Sequence, residues 1–275
     1  MGLKTPKASS WQGQVFLMEL RKLIAYRVDF WVNFIGQIFL SLTIAYFLWL
    51  SIFQSSGTTE INGKNIQYMI FYYLIVPLIF RVQQGQGIGY FSRDIYEGTL
   101  SKYLLYPMNV FKFKLSTYGA NSFFFLLQLF LVLIIYNIFF YDPAIYQFSI
   151  LNLLAFILAI FVATLSFFYY FTIGELLAFW FDNTWSIGVI SRFITSFFGG
   201  VYIPLSFFPE WSQSLLKYTP FPYMIDFPLQ ALVGALSLQE FGFQLFISIA
   251  WMLAFKFLCM SIWLKGQYKY SGVGI

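Results

Sequence analysis

The sequence predicts an all-α integral membrane protein, and three observations carry that prediction. Hydrophobic residues make up 60% of the 275 residues and charged residues only 10%, against about 25% charged in an average soluble chain. Several uncharged runs reach the ~20 residues needed to cross ~30 Å of hydrocarbon. Most of the charges fall between those runs, in short polar stretches rich in turn-forming residues.

Taken in order, the chain opens with Val15, Phe16, Leu20, Leu23 and Ile24 at near-helical spacing and Lys22 and Arg27 interspersed. That pattern predicts an amphipathic helix on the membrane surface within residues 1–29. No continuous apolar core precedes Glu19, Arg21 and Lys22, so a cleavable signal peptide is not expected. A six-span domain is expected over residues 30–264. The first span is Phe30 to Phe53, followed by the polar loop SSGTTEINGKN. The second, Gln67 to Phe80, is short, and its helix is expected to run past Arg81 out of the membrane. The third fits within Leu115 to Tyr141, ending at the Asp142-Pro143 turn signal, and the fourth within Phe148 to Gly174. Glu175 to Asp182 reads as a polar-edged loop. The fifth starts near Trp185 and stops at GGVYIP, where a glycine pair and a proline break helices.

Residues 207–234 contain only short apolar pieces, and five of the nine prolines fall between Pro204 and Pro228. Non-helical backbone at membrane depth survives only when buried in protein or lining a cavity, so re-entrant half-helices are expected here. The sixth span is Phe241 to Leu264, and residues 265–275 form a tail.

Charge sets the orientation. The amino-terminal segment holds five Lys/Arg, Arg81 and the stretch after it five, and the tail two, against Lys64 and Lys217 on the other side. Twelve against two places both termini and the 81–114 loop in the cytoplasm. The net charge of +5 forms no aromatic-interleaved patch, so nucleic acid is not an expected partner; membrane lipid is.

The chain has no histidine and one cysteine, Cys259, inside an apolar run. An intramembrane enzyme would therefore lack the commonest general base and a common metal ligand, and neither catalytic nor metal-binding residues are expected. No G-x-x-x-x-G-K-[ST] occurs, so nothing cradles a nucleoside triphosphate in the P-loop manner. Gly85, Gly87 and Gly89 lack the lysine and the preceding strand, and close helix packing is the expected use. A secondary transporter or channel not driven by ATP is the alternative reading, although its ion coupling wants ionisable residues at mid-membrane and the spans are nearly bare.

The stretch GYFSRDIYEGTLSKYLLYP has an order of its own. Asp94 is placed to cap a short helix with Glu97 in its first turn, Leu100, Tyr103, Leu104 and Leu105 follow, and Pro107 stops it. The expected product is a cytoplasmic helix over about 92–107 with an apolar knob beside charges. An interfacial helix lying on headgroups fits the same pattern.

Here the chain resembles a known family. D-I-x-x-G-x-L-x-x-x-L-L-x-P, from Asp94 through Glu97, Gly98, Leu100, Leu104 and Leu105 to Pro107, is similar to the segment between spans two and three of ABC-2 permeases, in one bacterial branch. F-F-G-G-V-Y-I-P-L-S-F-F-P, Phe197 to Pro209, then Pro220-Phe221 and Leu232 to Gly234, resembles the family's fifth span and following half-helices. The resemblance implies a permease half in the bacterial cytoplasmic membrane, paired with a second copy or a related permease and with two ATPase subunits. ATP and Mg would be held by those partners, with no cofactor on this chain. The helix around Leu104 would be the coupling helix, and Gly199, Gly200, Pro204, Pro209 and Pro220 would belong to an outer gate. Outward movement of a lipid-like or other amphiphilic substrate is implied in the same way.

Charges inside spans are costly and mark function. Arg192, about two turns into span five, and Lys256, about two turns before the end of span six, are candidates for substrate contact or for ion pairs with Glu175. Snorkelling to the interface is the other reading of both.

Overall fold

A computed structural model describes residues 11–25, 27–85, 87–143, 145 and 149–272. Lys4, Lys7 and the last three residues of the expected tail lie outside the described residues. Helix α1 (Trp11–Ala25) precedes α2 (Arg27–Ser56), a hairpin of β1 (Glu60–Ile61) and β2 (Lys64–Asn65), and α3 (Ile66–Gln83). Two short helices, α4 (Ser92–Tyr96) and α5 (Leu100–Leu105), lead into α6 (Val110–Phe139) and α7 (Ile150–Leu176). The chain then runs through α8 (Trp185–Phe198), α9 (Glu210–Leu216), α10 (Phe221–Met224) and α11 (Asp226–Val233) to α12 (Leu238–Gln267). It is an all-α membrane protein in which the helices α2, α3, α6, α7 and α12 are long and apolar enough to cross a bilayer. The expected fifth span, α8, has 14 residues, about 21 Å at 1.5 Å per residue, so it falls short of the ~30 Å of hydrocarbon.

Local chemistry starts the long helices where they start. Asn65, Asn109 and Ser149 accept hydrogen bonds from the amides of Tyr68, Lys112 and Leu151, capping α3, α6 and α7. Ser237 and Glu240 form a reciprocal capping box on α12. Inside the spans, Thr164, Ser166 and Thr172 donate to the carbonyls of Ile160, Val162 and Phe168, so these three hydroxyls are satisfied within their own helix.

Packing explains the arrangement. α3 is the most enclosed of the long helices, with Phe71, Tyr72, Ile75, Val76 and Ile79 at or near zero exposure. α7 is the hub: it packs along α12, α11 and α3, and Phe156, Ala159 and Ala163 are fully buried there. α2 touches mainly α3 and leaves Val32, Ile35, Phe39 and Phe47 outward, as a lipid-facing span does. α1 leans on α6, with Phe16 against Phe123 at 5.9 Å between ring centroids. Gly85 permits a close approach as expected, since a Cβ there would sit 2.4 Å from Ser122 Oγ and 2.8 Å from the Tyr118 carbonyl.

Candidate functional site

The 84–109 segment is built from several small decisions of the backbone. Gln84 ends α3, and Gly89 turns the chain with φ at +95°. That left-handed step aims three successive amides, those of Gly89, Tyr90 and Phe91, at one point. The Glu175 carboxylate occupies it: Oε1 accepts from Gly89 and Tyr90 at 2.6 and 3.0 Å, and Oε2 from Phe91 at 2.6 Å. Successive amides of this kind form a nest for an anion. Glu175 is thus not the edge of a loop. It lies in the last turn of α7, 2% exposed, and its carboxylate is taken up by backbone.

The expected single helix over 92–107 is two helices. Asp94 lies within the first turn of α4, where it makes no cap, and Glu97 stands at the carboxyl-terminal end of that helix. Gly98, with φ at +69°, ends the helix in the left-handed conformation that glycine adopts without penalty. The Asp94 carboxylate turns inward instead: Oδ2 meets Lys114 Nζ at 2.6 Å, and Oδ1 accepts from the Thr99 hydroxyl at 2.8 Å. Lys114, only 4% exposed one turn into α6, also donates to the Tyr90 carbonyl and lies 3.9 Å from the Tyr90 ring centroid. Partial burial, with the Asp94 charge added, pushes the nearby Tyr103 phenol above its ordinary pKa.

Two more bonds fix the segment. Tyr96 Oη donates to Thr184 Oγ1 at 3.0 Å, just before α8. Tyr270, beyond α12, donates to the Gly98 carbonyl at 2.7 Å and receives the Ser101 amide at 3.1 Å. Leu100 is buried, so α5 is anchored at its start. Its far end is not: Leu104 is 45% and Leu105 85% exposed, with Tyr106 beside them and Pro107 ending the helix. Arg93 and Glu97 form an exposed pair at 3.9 Å on α4 and its carboxyl-terminal end.

Behind the segment lies a cavity of about 540 Å³, walled by Lys22 of α1, Gln84, Tyr90, Lys114, Asn121 and Arg192. The Arg192 guanidinium stacks 5.1 Å from the Phe171 ring centroid. Lys256 is exposed on α12 and does not line this cavity, so Arg192 and Lys256 belong to different surroundings.

At the other end, α8 stops at Gly199. A Cβ on Gly199 would lie 2.5 Å from the Thr195 carbonyl and 3.1 Å from that of Phe221, so only glycine fits. Gly200 follows with φ at +95°, and its carbonyl accepts from Tyr72 Oη. Tyr73 Oη donates to the Tyr202 carbonyl at 2.6 Å. Pro204 opens a 3-10 turn, Pro209 precedes α9 and Pro220 precedes α10. The non-helical backbone is thus bonded to α3, and α11 buries Phe227, Leu229 and Leu232.

Sequence reading placed Asp94, Glu97, Gly98, Leu100, Leu104, Leu105 and Pro107 in one segment, which the structure brings together. It missed Lys114, Thr184 and Tyr270. Lys114 reads in the sequence as one of two positive charges, with Lys112, just before the apolar run that starts at Leu115.

Residues 39–274 match the family described as "ABC-2 family transporter protein". No curated protein and no solved structure matches the chain. The match covers most of the sequence, and the chain belongs to the ABC-2 transporter family, as a membrane permease of an ABC transporter.

Proposed function

We propose that this permease is an exporter subunit whose 92–107 segment docks on an ATPase carried by another chain. The observation that carries the reading is the Leu104–Leu105–Tyr106 knob, exposed and apolar on a segment that is otherwise bonded to the membrane helices. An exposed apolar anchor suits insertion into a groove of a partner protein. The short α8, with the break at Gly199 and Gly200, serves as the fifth of six crossings, and the re-entrant 207–234 segment forms the outer gate with Pro204, Pro209 and Pro220. Both termini face the cytoplasm of a bacterial cell; the distribution of Lys and Arg supports the orientation, and the family resemblance the bacterial membrane.

Two permease copies, or this chain with a related permease, associate with two ATPase subunits that hold ATP and Mg. ATP binding then biases two arrangements of the spans, giving alternating access. Outward direction rests on the family resemblance. The substrate is an amphiphile whose polar head enters the cytoplasmic cavity, where Arg192 stands beside aromatic and amide side chains.

The test is the double variant Leu104→Glu/Leu105→Glu. It inserts normally, since both side chains point away from the core, and loses the co-purifying ATPase. Wild-type amounts of ATPase with that variant would refute docking through the knob. Arg192→Ala separately lowers transport with insertion unchanged; an unchanged rate removes Arg192 from the substrate path.

A further inference from the structure

The segment bearing the knob is joined to four membrane elements by bonds that leave it little slack. Lys114 holds it to α6 through Asp94 at 2.6 Å, and Tyr96 holds it to the start of α8 through Thr184 at 3.0 Å. Tyr270 holds it to the end of α12 through the Gly98 carbonyl at 2.7 Å. The fourth joint differs from these. The Glu175 side chain is buried at the end of α7 and accepts from the backbone amides of Gly89, Tyr90 and Phe91.

Burying a charge is costly unless it is well hydrogen-bonded, and charge-assisted bonds are shorter and about twice as strong as neutral ones. A neutral side chain could cap one of these amides, but only an ionised carboxylate accepts from all three without presenting a donor to any. The joint is therefore stiff. It also lies at one end of the hub helix, whose length packs on α12, α11 and α3.

We infer that Glu175 is the positioning residue through which displacement of the 89–105 segment reaches α7, and through α7 the outer segment after Gly200. This rests on the coupling role proposed above. Glu175 touches neither substrate nor ATPase; it acts through the backbone of residues 89–91. A rival role, simple support of the loop, predicts lower stability on substitution and nothing more.

The test uses the permease in complex with its ATPase in lipid nanodiscs, with Ile203→Cys as a reporter. Ile203 lies in the outer segment and is 41% exposed, whereas Cys259 is fully buried. The rate of modification by a soluble maleimide is measured with and without Mg-ATP and vanadate, using the protein lacking Ile203→Cys as background. With Glu175 present, the rate at residue 203 changes with nucleotide. In Glu175→Ala the ATPase still co-purifies and hydrolyses ATP, but the nucleotide response at residue 203 is lost. Glu175→Gln, which keeps the shape and one acceptor oxygen, serves if the alanine variant does not fold, and loses the same response.

A retained response in a folded variant overturns the inference. So does loss of ATPase binding from a folded variant, because Glu175 would then only shape the docking surface. A complex that shows no nucleotide response with Glu175 intact removes the coupling reading itself, and this inference with it.

Discussion

Lys114 and Asp94 show how far a single residue's role departs from its local pattern. In the sequence, Asp94 sits where an N-cap belongs, and Lys114 reads as one more cytoplasmic positive charge. In the structure each is the other's partner across 20 positions, at 2.6 Å and shielded from water. Removing one partner of a buried pair costs about 3–5 kcal/mol, because the other charge is left uncompensated. Lys114→Met therefore destabilises strongly, and adding Asp94→Asn recovers part of the loss. Thermal unfolding in detergent checks this as a double-mutant cycle, and additive effects would show that the two do not interact. Capping rules see three or four residues at a time, so no local reading brings Lys114, Glu175 or Tyr270 to this segment. Gly98 was legible as part of a motif, but its positive φ, which splits the helix, was not.

Elements were read better than contacts. The apolar runs foretold α2, α3, α6, α7 and α12: the runs behind α2, α6 and α7 exceed twenty uncharged residues, whereas that of α3 is shorter and that of α12 is interrupted by Lys256. The stop at Gly199 was legible from the glycine pair, and its steric reason came only from packing: a side chain there meets the carbonyls of Thr195 and Phe221. Gly199→Ala is therefore expected to lower the melting temperature and to reduce transport more than it reduces insertion. Equal melting temperatures for the variant and the parent protein would show that α8 can move away from α10. The hairpin of β1 and β2 was missed inside what read as a polar loop. Its signal was Asn62-Gly63, both with positive φ, which a two-residue hairpin turn of the I′ type requires. That hairpin reaches the outer segment, where Asn62 donates to the Ser206 carbonyl at 3.2 Å.

At the scale of the whole molecule, the exposed apolar faces of α2, α6 and α12 fit a chain solvated by lipid, and the exposed knob at Leu104 and Leu105 lies on the segment between α3 and α6 that carries Arg93 and Lys102. The sequence holds no G-x-x-x-x-G-K-[ST], and membership of the ABC-2 permease family implies an ABC ATPase as partner. The central claim is that this ATPase is held by the knob. It is tested most directly by purifying the tagged permease in mild detergent and measuring the stoichiometry of every bound protein by mass spectrometry. The account predicts a soluble ATPase in equal number with the permease, absent from the Leu104→Glu/Leu105→Glu variant. A folded, monodisperse permease that brings down no ATPase would contradict it.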